Sequence, residues 1–174
     1  MALVVLLRGV NVGGHRTFRP SRVAHELRRF EVVNIGAAGT FVVLRPQSRR
    51  LFRVALSRVL PITAVTLFFD SGEIRRIETL HPFGPEPEEP ERVRFVSFLA
   101  KRSRNGPSLP VRLPAGDDWH VQLIASAGRF VFGEYRRHMR TIVSLGKVDT
   151  LFGVRATTRR WSTVGSILRA LPTR

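Results

Sequence analysis

The sequence predicts an α+β protein built as two ferredoxin-like (αβ-plait) subdomains, the second degenerate. Three observations predict it. Residues 1–80 read as strand–helix–strand–strand–helix–strand; residues 81–91 form an acidic, proline-rich connector; residues 92–174 are rich in strands and close on a helix. At 174 residues, 43% apolar and 24% charged, the chain has a globular balance and enough length for two small cores.

Taken in order, ALVVLL (Ala2 to Leu7) is an apolar run that reads as a buried strand. It has no basic residue before it and no small-residue cleavage site, so a first strand is expected and not a signal peptide. Val23, Leu27 and Phe30 recur at i, i+4 and i+7, which predicts a helix over Pro20–Phe30 with proline in its first turn. Glu31–Ile35 and Thr40–Arg45 are β-branched runs around GAAG and predict a hairpin. Ser48–Leu60 predicts an amphipathic helix with Leu51, Phe52, Ala55, Leu56 and Val59 on one face, ended by Pro61. Ala64–Phe69 is the fourth strand, and Asp70–Leu80 a short helix capped by Asp70 or Ser71.

The connector HPFGPEPEEPE (His81 to Glu91) holds four prolines and four glutamates, which predicts a semi-rigid, solvated linker. Beyond it, Glu91–Ala100 reads as a strand, followed by a polar loop through Pro114. Asp118–Ser126 and Arg129–Arg136 form a hairpin about Ala127-Gly128. Gly146–Gly153 is a short helix and Arg160–Leu171 the terminal one.

Charge sets the partner classes. The net charge is +16, and only Lys101 and Lys147 among the 29 cations are lysines. A GC-rich coding sequence would account for arginine over lysine, but not for the scarcity of acids. Residues 1–80 carry +8, residues 81–100 carry −2 and residues 101–174 carry +10. Such a field attracts nucleic acid, anionic lipid or phosphorylated metabolites. No apolar stretch reaches the roughly 18 residues that span a bilayer, so no membrane partner is expected. The absence of cysteine removes disulfides, thiolate catalysis and Cys-based zinc sites, and fits a cytoplasmic protein.

The loop RGVNVGGHR (Arg8 to Arg16) leaves the first strand where a phosphate loop would sit. Gly9 and Gly14 have the Walker A spacing, but His15 and Arg16 stand where lysine and a hydroxyl belong, and no helix follows at once. Triphosphate chemistry is therefore not supported. What remains is a backbone nest for an anion made by Asn11, Gly13, Gly14 and His15 beside Arg8 and Arg16, or simply a tight turn. A second cluster, TTRRWSTV (Thr157 to Val164), offers Thr158, Arg159 and Arg160 to a phosphate; its plainer reading is a helix start with Thr157 or Thr158 as cap and Trp161 in the core. In RFVFGEYRRHMR, Arg129, Arg136, Arg137 and Arg140 with Tyr135 and His138 interleaved suggest nucleic-acid contact, or a solvated basic strand end. The aromatic pattern of an RNA-recognition domain is missing. No paired carboxylates, HxH, HExxH or GxSxG appear, so no metal or cofactor is expected.

LLRGVNVGG (Leu6 to Gly14) resembles the opening signature of the bacterial DUF1697 family. GAAGTFVV (Gly36 to Val43), HPF (His81 to Phe83) and TTRRWSTV stand, in order, where that family carries a GN-containing hairpin, NPF and TTRNWNTV. The chain departs from it at Ala37-Ala38-Gly39-Thr40, against the usual QSGN, and at Arg159-Arg160-Trp161-Ser162, against RNWN. The resemblance implies two ferredoxin-like subdomains and no particular activity.

The expectation is a cytoplasmic binding protein for a phosphate-bearing small molecule or nucleic acid. One alternative is an enzyme on a small anionic metabolite, with Arg8 or Arg159 orienting the anion and His15 as acid or base. The other is a protein–protein interaction module.

Overall fold

The computed structural model describes residues 1–10, 18–60, 64–85 and 89–173. Among them are two antiparallel sheets and five α-helices, an α+β fold. The chain divides into two compact units, residues 1–79 with 165–174, and residues 80–164.

The first unit contains β1 (Leu3–Arg8), α1 (Pro20–Glu26), β2 (Val32–Asn34), β3 (Thr40–Val43), α2 (Arg49–Val59), β4 (Val65–Asp70) and α3 (Ser71–Arg75). Its sheet has the order β2-β3-β1-β4, every neighbouring pair antiparallel. β1 is central and buried on both faces, which explains its unbroken apolar run. Leu3, Val5 and Leu7 join Val23, Leu27, Phe30, Phe52 and Leu56 in one core, where Phe30 and Phe52 meet edge to face at 5.2 Å. Ser48 caps α2 by accepting the Leu51 N–H at 3.1 Å. Leu51 itself departs from the expected core face and is 55% exposed. It lies about 90° from the centre of the stripe set by Phe52, Ala55, Leu56 and Val59 at 100° per residue. Asp70 precedes α3 without a side-chain cap bond and instead lies 3.7 Å from Arg49. Gly39 closes the β2–β3 hairpin at φ +68°, and an added Cβ there would stand 2.8 Å from Leu7 Cβ.

The second unit contains β5 (Arg92–Leu99), β6 (Val111–Leu113), β7 (Val121–Ala127), β8 (Phe130–Arg136), α4 (Thr141–Phe152) and β9 (Ala156–Arg160), in the order β6-β7-β8-β5-β9. Phe95, Leu123, Val131, Val148 and Phe152 are central to its core. At mid-sheet, Gly133 faces Phe95; a Cβ there would meet the Gln122 carbonyl oxygen and stand 2.6 Å from the Phe95 ring. The division between units falls inside α5 (Trp161–Ala170). Residues 165–174 thus group with the first unit and not with 92–164; there Arg75 donates to the carbonyls of Leu171 and Pro172 at 3.3 and 2.6 Å.

Three further expectations are corrected. Phe83 of the connector is not solvated: it meets Phe132 and Trp161 edge to face at 6.3 and 5.2 Å. The helix expected over 146–153 begins at Thr141, because the positions it buries include Thr141 and Ser144, whose hydroxyls hide the apolar period. Residues 156–160 form a strand and not a helix start, pairing antiparallel with β5.

Candidate functional site

Four strands of the second unit meet at one end of its sheet. β5 begins there with Arg92 opposite Arg136, where β8 ends; β7 begins there with Val121 opposite Tyr135; β9 ends there with Arg160 opposite Phe95. Trp119 and His120 precede β7, and Arg137 and His138 follow β8, so all four extend the same end. The Arg136 N–H donates to the His120 carbonyl at 2.9 Å, which carries the β7–β8 ladder to this point.

Trp119 anchors the surface. It is buried, with the guanidinium of Arg136 over its ring at 4.2 Å, and those of Arg92 and Arg112 at 5.6 and 5.9 Å. Arg136 also donates to the Asp117 and Trp119 carbonyls at 2.8 and 3.4 Å, which orients it towards the protein. Beside this indole opens a cleft of about 830 Å³ whose lining includes Asp118, His120, Arg137 and His138.

The rings of His120 and His138 stack with centroids 4.3 Å apart and planes 2° from parallel. Nδ1 of His138 accepts the Arg140 backbone N–H at 3.2 Å, so the neutral ring carries its proton on Nε2. Desolvation, with the charges of His138, Arg140 and Arg136, holds His120 below the ordinary imidazole range, and Asp118 opposes them. Among the described residues, no group of three His, Asp or Glu side chains is placed to hold a metal ion.

A second recess of about 280 Å³ adjoins the first through Pro90 and Arg137, and is lined also by Arg92, Arg160 and Ser162. Arg92 is engaged by Glu89 at 3.1 Å and lies 3.8 Å from Glu134. Arg160 and Arg137 are exposed, and Nε of Arg160 donates to the Tyr135 hydroxyl at 3.1 Å. The recess thus brings two exposed guanidiniums and the Ser162 side chain to one opening, with the Glu89 carboxylate also in its lining.

The expected site residues are sorted by this geometry. Asn11, Gly13, Gly14, His15 and Arg16 lie outside the described residues. Arg8 ends β1 in the first unit, half-buried and opposite Val65. Thr158 shares a 2.6 Å hydrogen bond with Ser97 across the β5–β9 pair. Arg159 is 8% exposed, donating to Thr157 Oγ1 at 3.0 Å and to the Thr158 carbonyl at 2.9 Å; burial lowers its pKa to about 10. Strand alternation thus turns Arg159 inward and leaves Arg160 outward. The basic β8 set also divides. Arg129 precedes β8 and donates to the Ala100 carbonyl, roughly 20 Å along the strand from Arg136–Arg140 at about 3.3 Å per residue.

Trp119 and His120 were not among the residues expected, and His138 and Ser162 entered only as members of the RFVFGEYRRHMR and TTRRWSTV stretches. A signal for the histidines existed: counting outward from the Ala127-Gly128 turn brings His120 beside Arg136–His138.

No family model matches the chain, and no curated protein matches it. A solved structure of a conserved bacterial protein from Streptococcus pneumoniae is similar at a TM-score of 0.57 and 14% identity, covering 97% of both chains. At that identity the likeness shows the fold alone.

Proposed function

We propose that the second unit binds a phosphate-bearing ligand at this end of its sheet, and that a nucleic-acid strand is the ligand that fits best. The observation that carries this is the convergence of Arg137, just past β8, and Arg160, the last residue of β9, on one recess that adjoins the stacked-histidine cleft. Guanidiniums supply forked donors for phosphate oxygens, and exposed imidazole offers a face on which a base can stack. Two adjoining openings suit a chain of phosphates better than one compact metabolite, and the net charge of +16 steers any polyanion inward. Cytoplasm, with its nucleic acids and reducing conditions, is the compartment that goes with this reading and with the absence of cysteine.

We further propose that the chain is a member of the DUF1697 family, on LLRGVNVGG, HPF and TTRRWSTV in order, and that both units are αβ plaits. The order β2-β3-β1-β4 is that of a split βαβ pair. Without its edge strand β6, the second sheet reads β7-β8-β5-β9, the same order with a loop in place of the first helix.

Anisotropy of a labelled single-stranded oligonucleotide, titrated with protein across a salt series, tests the binding reading. Affinity should fall log-linearly with salt, and Arg137→Ala/Arg160→Ala should make the slope shallower by about 1.4, two phosphate contacts at about 0.7 each. Binding that ignores salt, or that the double variant leaves unchanged, overturns it.

A further inference from the structure

The corner between β8 and α4 carries a second, apolar feature, which shares only Arg137 with the polyanion reading. Met139, Ile142 and Val143 are 94%, 79% and 67% exposed. Ile142 and Val143 lie in the first turn of α4 and Met139 in the turn that leads into it, while Thr141, Ser144 and Val148 are buried. Exposed Arg137, Arg140 and Lys147 surround them, and residues 135–148 contain no acid. Large apolar side chains grouped this way in water mark a contact surface.

Three candidate occupants differ in what they require. A second copy would bring the same cations face to face across a twofold interface, where like charges repel. A protein partner of standard size needs roughly 800 Å² per side, and three side chains offer a few hundred at most. An anionic bilayer needs only this combination: a few apolar side chains reaching the acyl boundary and cations among the headgroups. We infer that the β8–α4 corner docks on anionic lipid surfaces, with Met139, Ile142 and Val143 inserting and Arg137, Arg140 and Lys147 meeting headgroup phosphates. Among the described residues no helix is long and apolar enough to cross a membrane. Lying on a bilayer does not need one, and the inference departs from the expectation of no membrane partner, which rested on the lack of a spanning stretch.

Co-sedimentation of the full chain with vesicles tests this. One set is phosphatidylcholine alone, and the other contains about one third phosphatidylglycerol. The protein should sediment with the second set only. Met139→Ser/Ile142→Ser should weaken that binding tenfold or more, and Arg140→Glu severalfold. Both side chains of the double variant are exposed, so its thermal transition should match that of the parent, and so should its oligonucleotide affinity. Vesicle binding that the double variant retains would reduce the effect to charge alone and overturn the inference. So would absence of binding to anionic vesicles, or a dimer in solution that the same variant abolishes, which would make a second copy the occupant. Oligonucleotide binding lost while vesicle binding persists would instead remove the polyanion reading alone.

Discussion

His120 and His138 lie face to face, ring centroids 4.3 Å apart and planes within 2° of parallel. Protonating either ring places a cation against the other, in a neighbourhood that already holds Arg136 and Arg140. Desolvation and these charges lower the pKa of His120 from its ordinary 6.5. The native state therefore favours neutral His120. Its contribution to stability is intact above pH 6.5 and is lost as pH falls through the lowered native pKa. An NMR titration should find the His120 midpoint below 6.5, and His138→Ala should raise it. An unshifted midpoint would remove the electrostatic role of the stack.

Arg136 and Arg137 are adjacent in sequence and differ in exposure, Arg136 half-buried and Arg137 exposed. Arg136 stacks on Trp119 and holds two loop carbonyls. Arg136→Ala should cost about 1–2 kcal/mol in urea unfolding and alter tryptophan emission. Arg137→Ala should stay within about 0.5 kcal/mol of the parent while weakening oligonucleotide binding. Equal stability losses would contradict the division.

Arg159 illustrates a buried guanidinium held by geometry. Arg159→Lys keeps a cation but loses the planar fork that reaches Thr157 Oγ1 and the Thr158 carbonyl. A cost of about 1–3 kcal/mol is expected by chemical denaturation. Near-parental stability would mean that charge alone matters there.

Gly133 leaves room for the Phe95 ring in the middle of the second sheet. Gly133→Ala should destabilise by about 1–3 kcal/mol or more, because a backbone carbonyl and an aromatic ring would both have to move. Phe95→Leu combined with it should recover part of the loss. Independent, additive effects would show that the ring is not the constraint.

Local patterns revealed much of the fold. Val23, Leu27 and Phe30 announced the first helix face, and all three are buried. The apolar run of β1 announced a strand covered on both sides, and Ala127-Gly128 a hairpin. Position 159 shows where local reading failed. TTRRW has the hydroxyls of a helix cap, yet pairing with β5 makes residues 156–160 a strand. That pairing sets Thr158 opposite Ser97, which lies 61 residues away. The start of α4 was hidden for a related reason, since it buries hydroxyls at Thr141 and Ser144 and exposes Ile142 and Val143.

By itself, then, the sequence determined composition, charge, strand and helix periods, the turn glycines and the absence of cysteine chemistry. These are properties of short segments, set by backbone sterics and side-chain burial within a few turns. Only the tertiary structure decided which arginines share a surface. Strand order brings Arg137 and Arg160 to one recess, sends Arg129 to the far end of β8 and turns Arg159 into the interior. Register sets these relations between residues distant in the chain, and no local pattern encodes register.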